Sequence, residues 1–537
     1  MILEEGKGAE QVISSVVNQI KEQSEPIESN SLKLQQLKGG APVTLTIGQK
    51  RKGSQNLVKS ETVAKIRKTL KLSGRDTKKL CKIFREDDLK VEHKTKEFLA
   101  QVDNLLLSQY EVKKMEMEVK TKIEVVKMVR GRGGKLCRRK IKKTVMRKVN
   151  KDVVLVKDVK SFCEEIANMR GICPTNTVVR VCQDGGGGSF KSVVSVLDRS
   201  VNHSYEAAGE KLSGVNRLLP LALCKGIPET HHNLRLIMGH LKLERVPHVK
   251  LVMDLCLLNA VLGISSHGGK YSCAFCDGPS TLQSGNLRTF RDLRLNYEAY
   301  QAAGANPSQM KKFANVIQPC LISAPEKEKV ISVVMLPQLH LMMGVVNHLV
   351  NHAVKFDQNI IKVLKQHNIF QHGYNGGGLD GNNSAEFLRK IELFNDDILP
   401  VLQPVLDVLL LFRDIVNGCF SWNLSEDFRE RISNFTTSYE NLINYSNVVL
   451  QQPLTVTWKI HCITAHLSYT LEEHGRGMAD ISEQAGESTH HSIKAELQRH
   501  KRSEENPSHG KMLLKAVSKY GSWNVFNMSG YKKSGQI

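Results

Sequence analysis

Thr177-Val178-Val179-Arg180-Val181-Cys182-Gln183-Asp184, followed by Gly185-Gly186-Gly187-Gly188, is the stretch from which the fold reads outward. Its β-branched residues predict a short strand. Residues 190–197 predict the next strand, so the pair forms a hairpin whose first arm ends in an acid. The glycines read as a loose turn. GGGGSFK lacks phosphate-loop spacing, and a strand rather than a helix follows it. Residues 249–254 predict another buried strand, again ending in an aspartate, Asp254, and an apolar helix over 255–264 follows. Residues 265–270 then turn into Cys273-Ala274-Phe275-Cys276. This part of the chain reads as α/β.

Around it the chain is mostly helical. The periodicity predicts helices over 287–303, 338–355, 385–395, 402–416 and 425–447, interrupted by a glycine-rich loop at 376–383. Residues 455–460 read as a short β segment leading to His461, and 481–500 as a helix. The apolar run near 401–416 carries Asp407 and Arg413, which argues against a membrane span. The chain opens Met1-Ile2-Leu3-Glu4-Glu5, acidic where a secretory signal is basic. Its 12 cysteines show no small-domain disulfide spacing, which points to a reducing compartment.

Of the net charge of +22, residues 51–150 hold a surplus of 18, with 30 Lys+Arg against 12 Asp+Glu. Such a block predicts a polyanionic partner, most simply nucleic acid. A solvated basic face or a nuclear-import segment is the plainer alternative. Residues 1–55 read as weakly ordered, being rich in Ser, Gln, Glu and Lys. Ser60 caps an expected helix over 61–72 with Val63, Ile66 and Leu70 inward. A second runs to about Arg85 with Leu80, Ile83 and Phe84 inward, so the two resemble a helix-turn-helix. A long helix is expected over 92–129. Residues 127–148 carry 11 Lys+Arg and no acid. There Arg130, Arg132, Lys135, Arg138, Arg139 and Lys140 are the candidate DNA contacts, with the glycines at 131, 133 and 134 giving flexibility for a minor groove. Arg138-Arg139-Lys140-Ile141-Lys142-Lys143 also reads as a nuclear-import signal.

Two chemistries follow. Asp184 and Asp254 end strands and Glu487 lies on a late helix, with Glu483 as the alternative third acid. Carboxylates converging in this way suit Mg²⁺ or Mn²⁺, and paired ions serve phosphodiester chemistry. Cys273, Cys276, His461 and His466 have donor types and pair spacings that suit structural Zn²⁺. Five residues on an α-helix are about 140° apart, so His461 is expected just before the helix that carries His466. A thioredoxin-like redox motif is the alternative for Cys-x-x-Cys, but it calls for a helix start directly after a strand.

The order of these motifs resembles the catalytic core of Transib-type DDE transposases and of the recombination-activating V(D)J recombinase. The matching pieces are Cys182-Gln183-Asp184-Gly185, then Asp254 ahead of Cys273-Ala-Phe-Cys276-Asp277, then His461-Cys-Ile-Thr-Ala465-His466, then Ser482-Glu483-Gln-Ala-Gly-Glu487-Ser488. Weaker echoes are Leu339-His340 and Asp380-Gly381-Asn382. The last major segment has one residue more than the family pattern, which leaves Glu483 beside Glu487. The resemblance spans roughly 175–500. It implies an RNase H-like core with a large helical, zinc-stapled insertion, preceded by a basic, mostly helical N-terminal region. The expected divisions are 1–55, 56–150, 151–285, 286–454 and 455–537. It further implies Mg²⁺-dependent nicking of double-stranded DNA at terminal repeats and attack by the freed 3′-hydroxyl. Asp184, Asp254 and Glu487 would hold the metals, in a nuclear homodimer with a companion recombinase subunit. A domesticated, inactive relative that binds DNA or chromatin is the alternative, and a zinc-containing transcription factor using the basic region is a third reading.

Overall fold

The computed structural model describes residues 30–34, 43–47, 57–69, 74–86, 90–130, 136–185, 189–198, 218–265, 271–372, 377–394, 397–499, 503 and 506–528. The chain divides into two units, one of 1–108 with 518–537 and one of 109–517.

In the first unit, α1 (Ser60–Thr69), α2 (Gly74–Glu86) and α3 (Thr95–Asn104) bury Val63, Ile66, Leu80, Phe84, Leu99 and Val102. Both expected short helices are therefore present; Leu70 lies outside the described residues. Arg67 is buried, pairs with Asp103 at 3.1 Å and lies over the Trp523 ring at 5.2 Å, while Trp523 Nε1 donates to Asp103 at 2.8 Å. One carboxylate thus satisfies two buried donors. Within the segment read as weakly ordered, Asn30–Leu34 and Val43–Ile47 pair as an antiparallel ladder.

The second unit is built on a six-stranded mixed sheet. Its strands are β1 (Tyr110–Arg130), β2 (Leu136–Val156), β3 (Thr177–Asp184), β4 (Ser189–Asp198), β5 (Leu219–Lys225) and β6 (Val249–Met253), in spatial order β6-β3-β4-β5-β2-β1. Only the β6–β3 pair is parallel. β3, β5 and β6 therefore run in one direction and end at one edge. The sheet interior is mainly Val and Leu, with β3, β4 and β5 almost wholly buried, as strands covered on both faces must be.

Two expectations need correction. Residues 92–129 are not one helix: after α3 the chain enters the 21-residue β1, paired with β2 along its whole length. The segment alternates Val, Met and Ile with Lys and Glu, a period of two that suits a strand and was outweighed by its good helix formers. β2 meets β5 only at Val154 and Leu155, so most of the basic segment is a two-stranded ribbon. Arg130, Arg138, Arg139 and Lys140 stand on its strands, while Arg132 and Lys135 lie outside the described residues. The second missed element is β5. Pro220 argues against a strand, but it sits at the register shift between Ser192 and Val193, where no ladder donor is needed.

α4 (Val159–Met169) and α5 (His231–Leu241) flank the sheet. Asn233 of α5 accepts from Glu118 N at 2.7 Å and donates to Glu118 O at 2.9 Å, replacing a ladder partner for β1. β6 runs into α6 (Leu255–Leu262), capped by the αL residue Gly263. A Cβ at Gly263 would also lie 2.0 Å from the Gln318 carbonyl. Beyond lie α7 (Phe290–Ala302) and a helical layer of α8 (Gln338–Phe356), α9 (Gly381–Lys390), α10 (Gln403–Cys419) and α11 (Phe428–Val448). Its core stacks Phe412, Phe435 and Tyr439, with ring centroids 5.7 and 5.9 Å apart. Among the described residues no helix is long and apolar enough to cross a membrane.

Candidate metal centres

Two groups of metal-ligating side chains converge in the second unit. The first joins Cys273 and Cys276 to His461 and His466, with one ligand atom from each lying within 4.8 Å of all the others, and all four residues buried. Cys273 Sγ is 3.3 Å from His466 Nε2, Cys276 Sγ is 3.4 Å from His461 Nε2, and the two Nε2 atoms are 3.1 Å apart. A tetrahedral zinc with bonds of about 2.0–2.3 Å requires edges of roughly 3.3–3.8 Å. The donors therefore already stand close to the corners of such a site, and the group could hold a zinc ion.

The histidine half corrects an expectation. Residues 455–457 form no ladder. Instead α12 (Trp458–His461), N-capped by Thr457, passes directly through a π-helical turn, Cys462–His466, into α13 (Leu467–His474). His461 thus belongs to the same helical run as His466. The i→i+5 bonding of a π turn widens the helix enough to bring two residues five apart onto one side. His461 Nδ1 donates to the Thr281 carbonyl at 2.5 Å, which leaves Nε2 as the ligand atom.

The cysteine half is a tight loop. Asp277 accepts from Asn286 N at 2.9 Å and Asn286 Nδ2 at 3.2 Å, closing it. A Cβ on Gly285 would lie 2.4 Å from Gly278 N, so the two strands of the loop approach too closely for a side chain. Arg288, 1 % exposed, spans the loop from beneath, donating to Cys273 O, Cys276 O and Ala314 O at 3.0, 2.7 and 3.0 Å. The Cys273 thiol donates to Cys276 and, with both histidines, holds Cys276 well below the usual thiol range, whereas burial pushes Cys273 up. Burial also holds His466 below the ordinary imidazole value, so it stays neutral as a ligand must. Arg288→Leu is expected to leave these carbonyls unmet and cost at least about 3 kcal/mol. Denaturant unfolding checks this, and a loss under about 1 kcal/mol would refute the bracing role.

The second group is acidic: Asp184, Glu229 and Asp254 each place a carboxylate oxygen within 4.8 Å of the others. The parallel register pairs Met253 with Gln183, so Asp254 and Asp184 leave β6 and β3 side by side. Glu229 follows β5 at the same edge. Asp254 is fixed as the N-cap of α6, accepting from Leu257 N at 2.7 Å. Asp184 pairs with the buried Lys191, its cross-strand partner, at 3.8 Å. Glu229 was not among the residues singled out from the sequence. Its signal lay in the unread strand, since an acid soon after Lys225 falls at the edge where the aspartates stand.

Burial, and then the charges of Asp254 and Asp184, push the Glu229 carboxyl up to about 7. It accepts from the Gly185 amide, and a Cβ at Gly185 would lie 1.7 Å from Glu229 Oε1. The first glycine of the run is therefore more than a loose turn. Because the folded value stands above the free value of 4.5, Glu229 contributes stability that is complete below pH 4.5 and lost as pH rises through about 7. With divalent ions chelated, Glu229→Gln should therefore gain on the wild type between pH 4.5 and 7.5 in thermal melts. A difference constant with pH would refute this.

Glu483 is placed differently. It is buried, and its Oε1 accepts from His340 N at 3.0 Å and lies 3.3 Å from His340 Nδ1, at the start of α8. It is not in the three-acid group. Glu487 lies on α14 (Gln484–Arg499); its side chain is outside the described residues. The preceding Gly486 packs on β3, where a Cβ would come 2.9 Å from Cys182 Cβ. Neither a protein-family model nor any curated protein matches this chain.

Proposed function

We propose that the protein is a DNA strand-transfer enzyme of the DDE transposase and recombinase kind, with an RNase H-like core. The convergence of Asp184, Glu229 and Asp254 at the carboxyl ends of three co-directional strands carries this reading. The order supports it too: three antiparallel strands, a helix, then a fourth strand laid parallel to the first on its free edge. Val334 bridges to Leu251 of that fourth strand in parallel, where a fifth would stand.

Asp184, Asp254 and Glu229 would hold Mg²⁺ or Mn²⁺. Such ions, when bound, supply an activated water or 3′-hydroxyl and steady the leaving oxygen. Lys191 pairs with the Asp184 carboxylate at 3.8 Å, and the α6 amide fixes the Asp254 carboxylate. Glu229 gives up its proton as a cation arrives, so metal affinity should rise with pH towards about 7. α14, lying on β3, would bring Glu487 to the same edge as a fourth carboxylate. A zinc held by Cys273, Cys276, His461 and His466 would tie the chain after Asp254 to the chain before α14.

The basic ribbon of β1 and β2 would bind duplex DNA, and the reading includes a nuclear homodimer working with a companion subunit. The test is Mn²⁺-dependent nicking of DNA carrying terminal repeats, with Asp184→Asn as control.

A further inference from the structure

A cavity of about 790 Å³ opens at Asp254 and runs between α8 and α12. That volume is in the range of about 300–1,000 Å³ typical of ligand sites. Several of its polar side chains are committed to packing. Asn347 donates to Met343 O and Leu379 O and accepts from Leu379 N, all at 2.6–2.8 Å. His348 Nε2 lies between the Tyr439 hydroxyl at 3.0 Å and the Thr455 carbonyl at 3.1 Å.

Lys459 is not committed in this way. It lies half-buried in the cavity wall, on the short helix that ends in His461, and its side-chain ammonium makes no hydrogen bond or ion pair with any described residue. Its stem crosses Gly344 of α8. A Cβ there would lie 1.8 Å from Lys459 Cδ and 2.8 Å from its Nζ, so only glycine admits the lysine in this position. The Ser280 hydroxyl, also in the wall, is buried and without a partner among the described residues. The Asp254 charge opposes part of the cost of withdrawing this ammonium from water, but no carboxylate is in ion-pair contact with it among the described residues, so an anionic ligand would stabilise it further.

We propose that Lys459, with Ser280, grips a backbone phosphate of the DNA strand that enters the acidic site at Asp254. This rests on the strand-transfer reading. Three converging carboxylates repel a phosphodiester, and a fixed cation in the wall beside one of them offsets that repulsion where the strand must pass. Lys459 is a positioning residue, set in the wall by the helix carrying the zinc ligands, with room for its stem over Gly344. It would therefore register the strand against the acids as well as attract it.

The test measures binding of a short DNA duplex to the full chain across a range of salt, with Ca²⁺ in place of Mg²⁺. Lys459→Met should weaken binding about three- to tenfold and reduce the slope of log affinity against log salt by about 0.7–0.9, the share of one phosphate. Lys459→Arg should keep the slope. Gly344→Ala should behave like Lys459→Met, because its methyl displaces the lysine stem. Zinc content and melting temperature report the fold, and if Lys459→Met loses its zinc, Lys459→Gln is read in its place. Folded Lys459→Met and Gly344→Ala chains that keep the wild-type slope and affinity overturn the proposal. A wild type that binds DNA but never nicks it with Mn²⁺ overturns the strand-transfer reading, and the slopes then decide on Lys459 alone. A wild type that binds no DNA overturns both.

Discussion

Cys276→Ser is expected to abolish zinc binding by the four-ligand group and unfold the region joining the helix after β6 to α14. The four ligands come from two segments far apart in the chain: a tight loop on one side and a helical run about 190 residues away on the other. Structural zinc sites contribute about 10–16 kcal/mol in small peptides at neutral pH. Whole domains are stable by only about 5–15 kcal/mol. Even a third of the zinc contribution is therefore decisive. A serine hydroxyl is a far poorer ligand than a thiolate held ionised by its neighbours. Metal analysis should find about one zinc per wild-type chain and none in the variant. The variant, and the wild type treated with a strong chelator, should both melt earlier and less cooperatively. A zinc-free chain with an unchanged melting transition would sink the staple.

Asp184→Asn is expected to reduce Mn²⁺-dependent nicking by more than about 100-fold. Changes to groups that merely orient a metal ligand already cost about 10–100-fold, and this change removes an anionic ligand itself. The amide keeps the shape of the carboxylate at a half-buried strand end. It does leave the buried Lys191 without its ion-pair partner at 3.8 Å, so the melting temperature must be followed alongside. Asp254→Asn should lose activity similarly, with an added loss of stability, since that carboxylate also caps α6. Nicking by a well-folded Asp184→Asn chain at the wild-type rate would remove the acid cluster from the chemistry.

Much of the second unit was legible because its signals are local. Residues 177–184 are β-branched and end in an acid before glycines, and they form β3. The helices over 338–356 and 428–448 follow apolar spacing that a helix of any surroundings would show. The failures are places where distant contacts override local preference. β1 is rich in Lys, Glu and Met, which favour helices, yet its pairing with β2 over 21 residues makes it a strand. β5 contains a proline that only the bulge opposite Val193 makes harmless. Residues 455–460 looked extended from their β-branched content, but Thr457 caps a helix there instead.

The sequence by itself determined the donor chemistry. Two thiols and two imidazoles at these spacings suit zinc wherever the chain folds, and two aspartates at strand ends suit a hard cation. Which groups share a site was decided by the tertiary structure alone. The parallel register of β6 on β3 sets Asp254 beside Asp184, and the direction of β5 brings Glu229 to the same edge. A π turn puts His461 and His466 on one side of a helix whose ordinary pitch would part them. Spacing along a chain constrains only residues within a turn or a hairpin. Convergence across 45 or 190 residues depends on strand order and register, which many distant contacts set together.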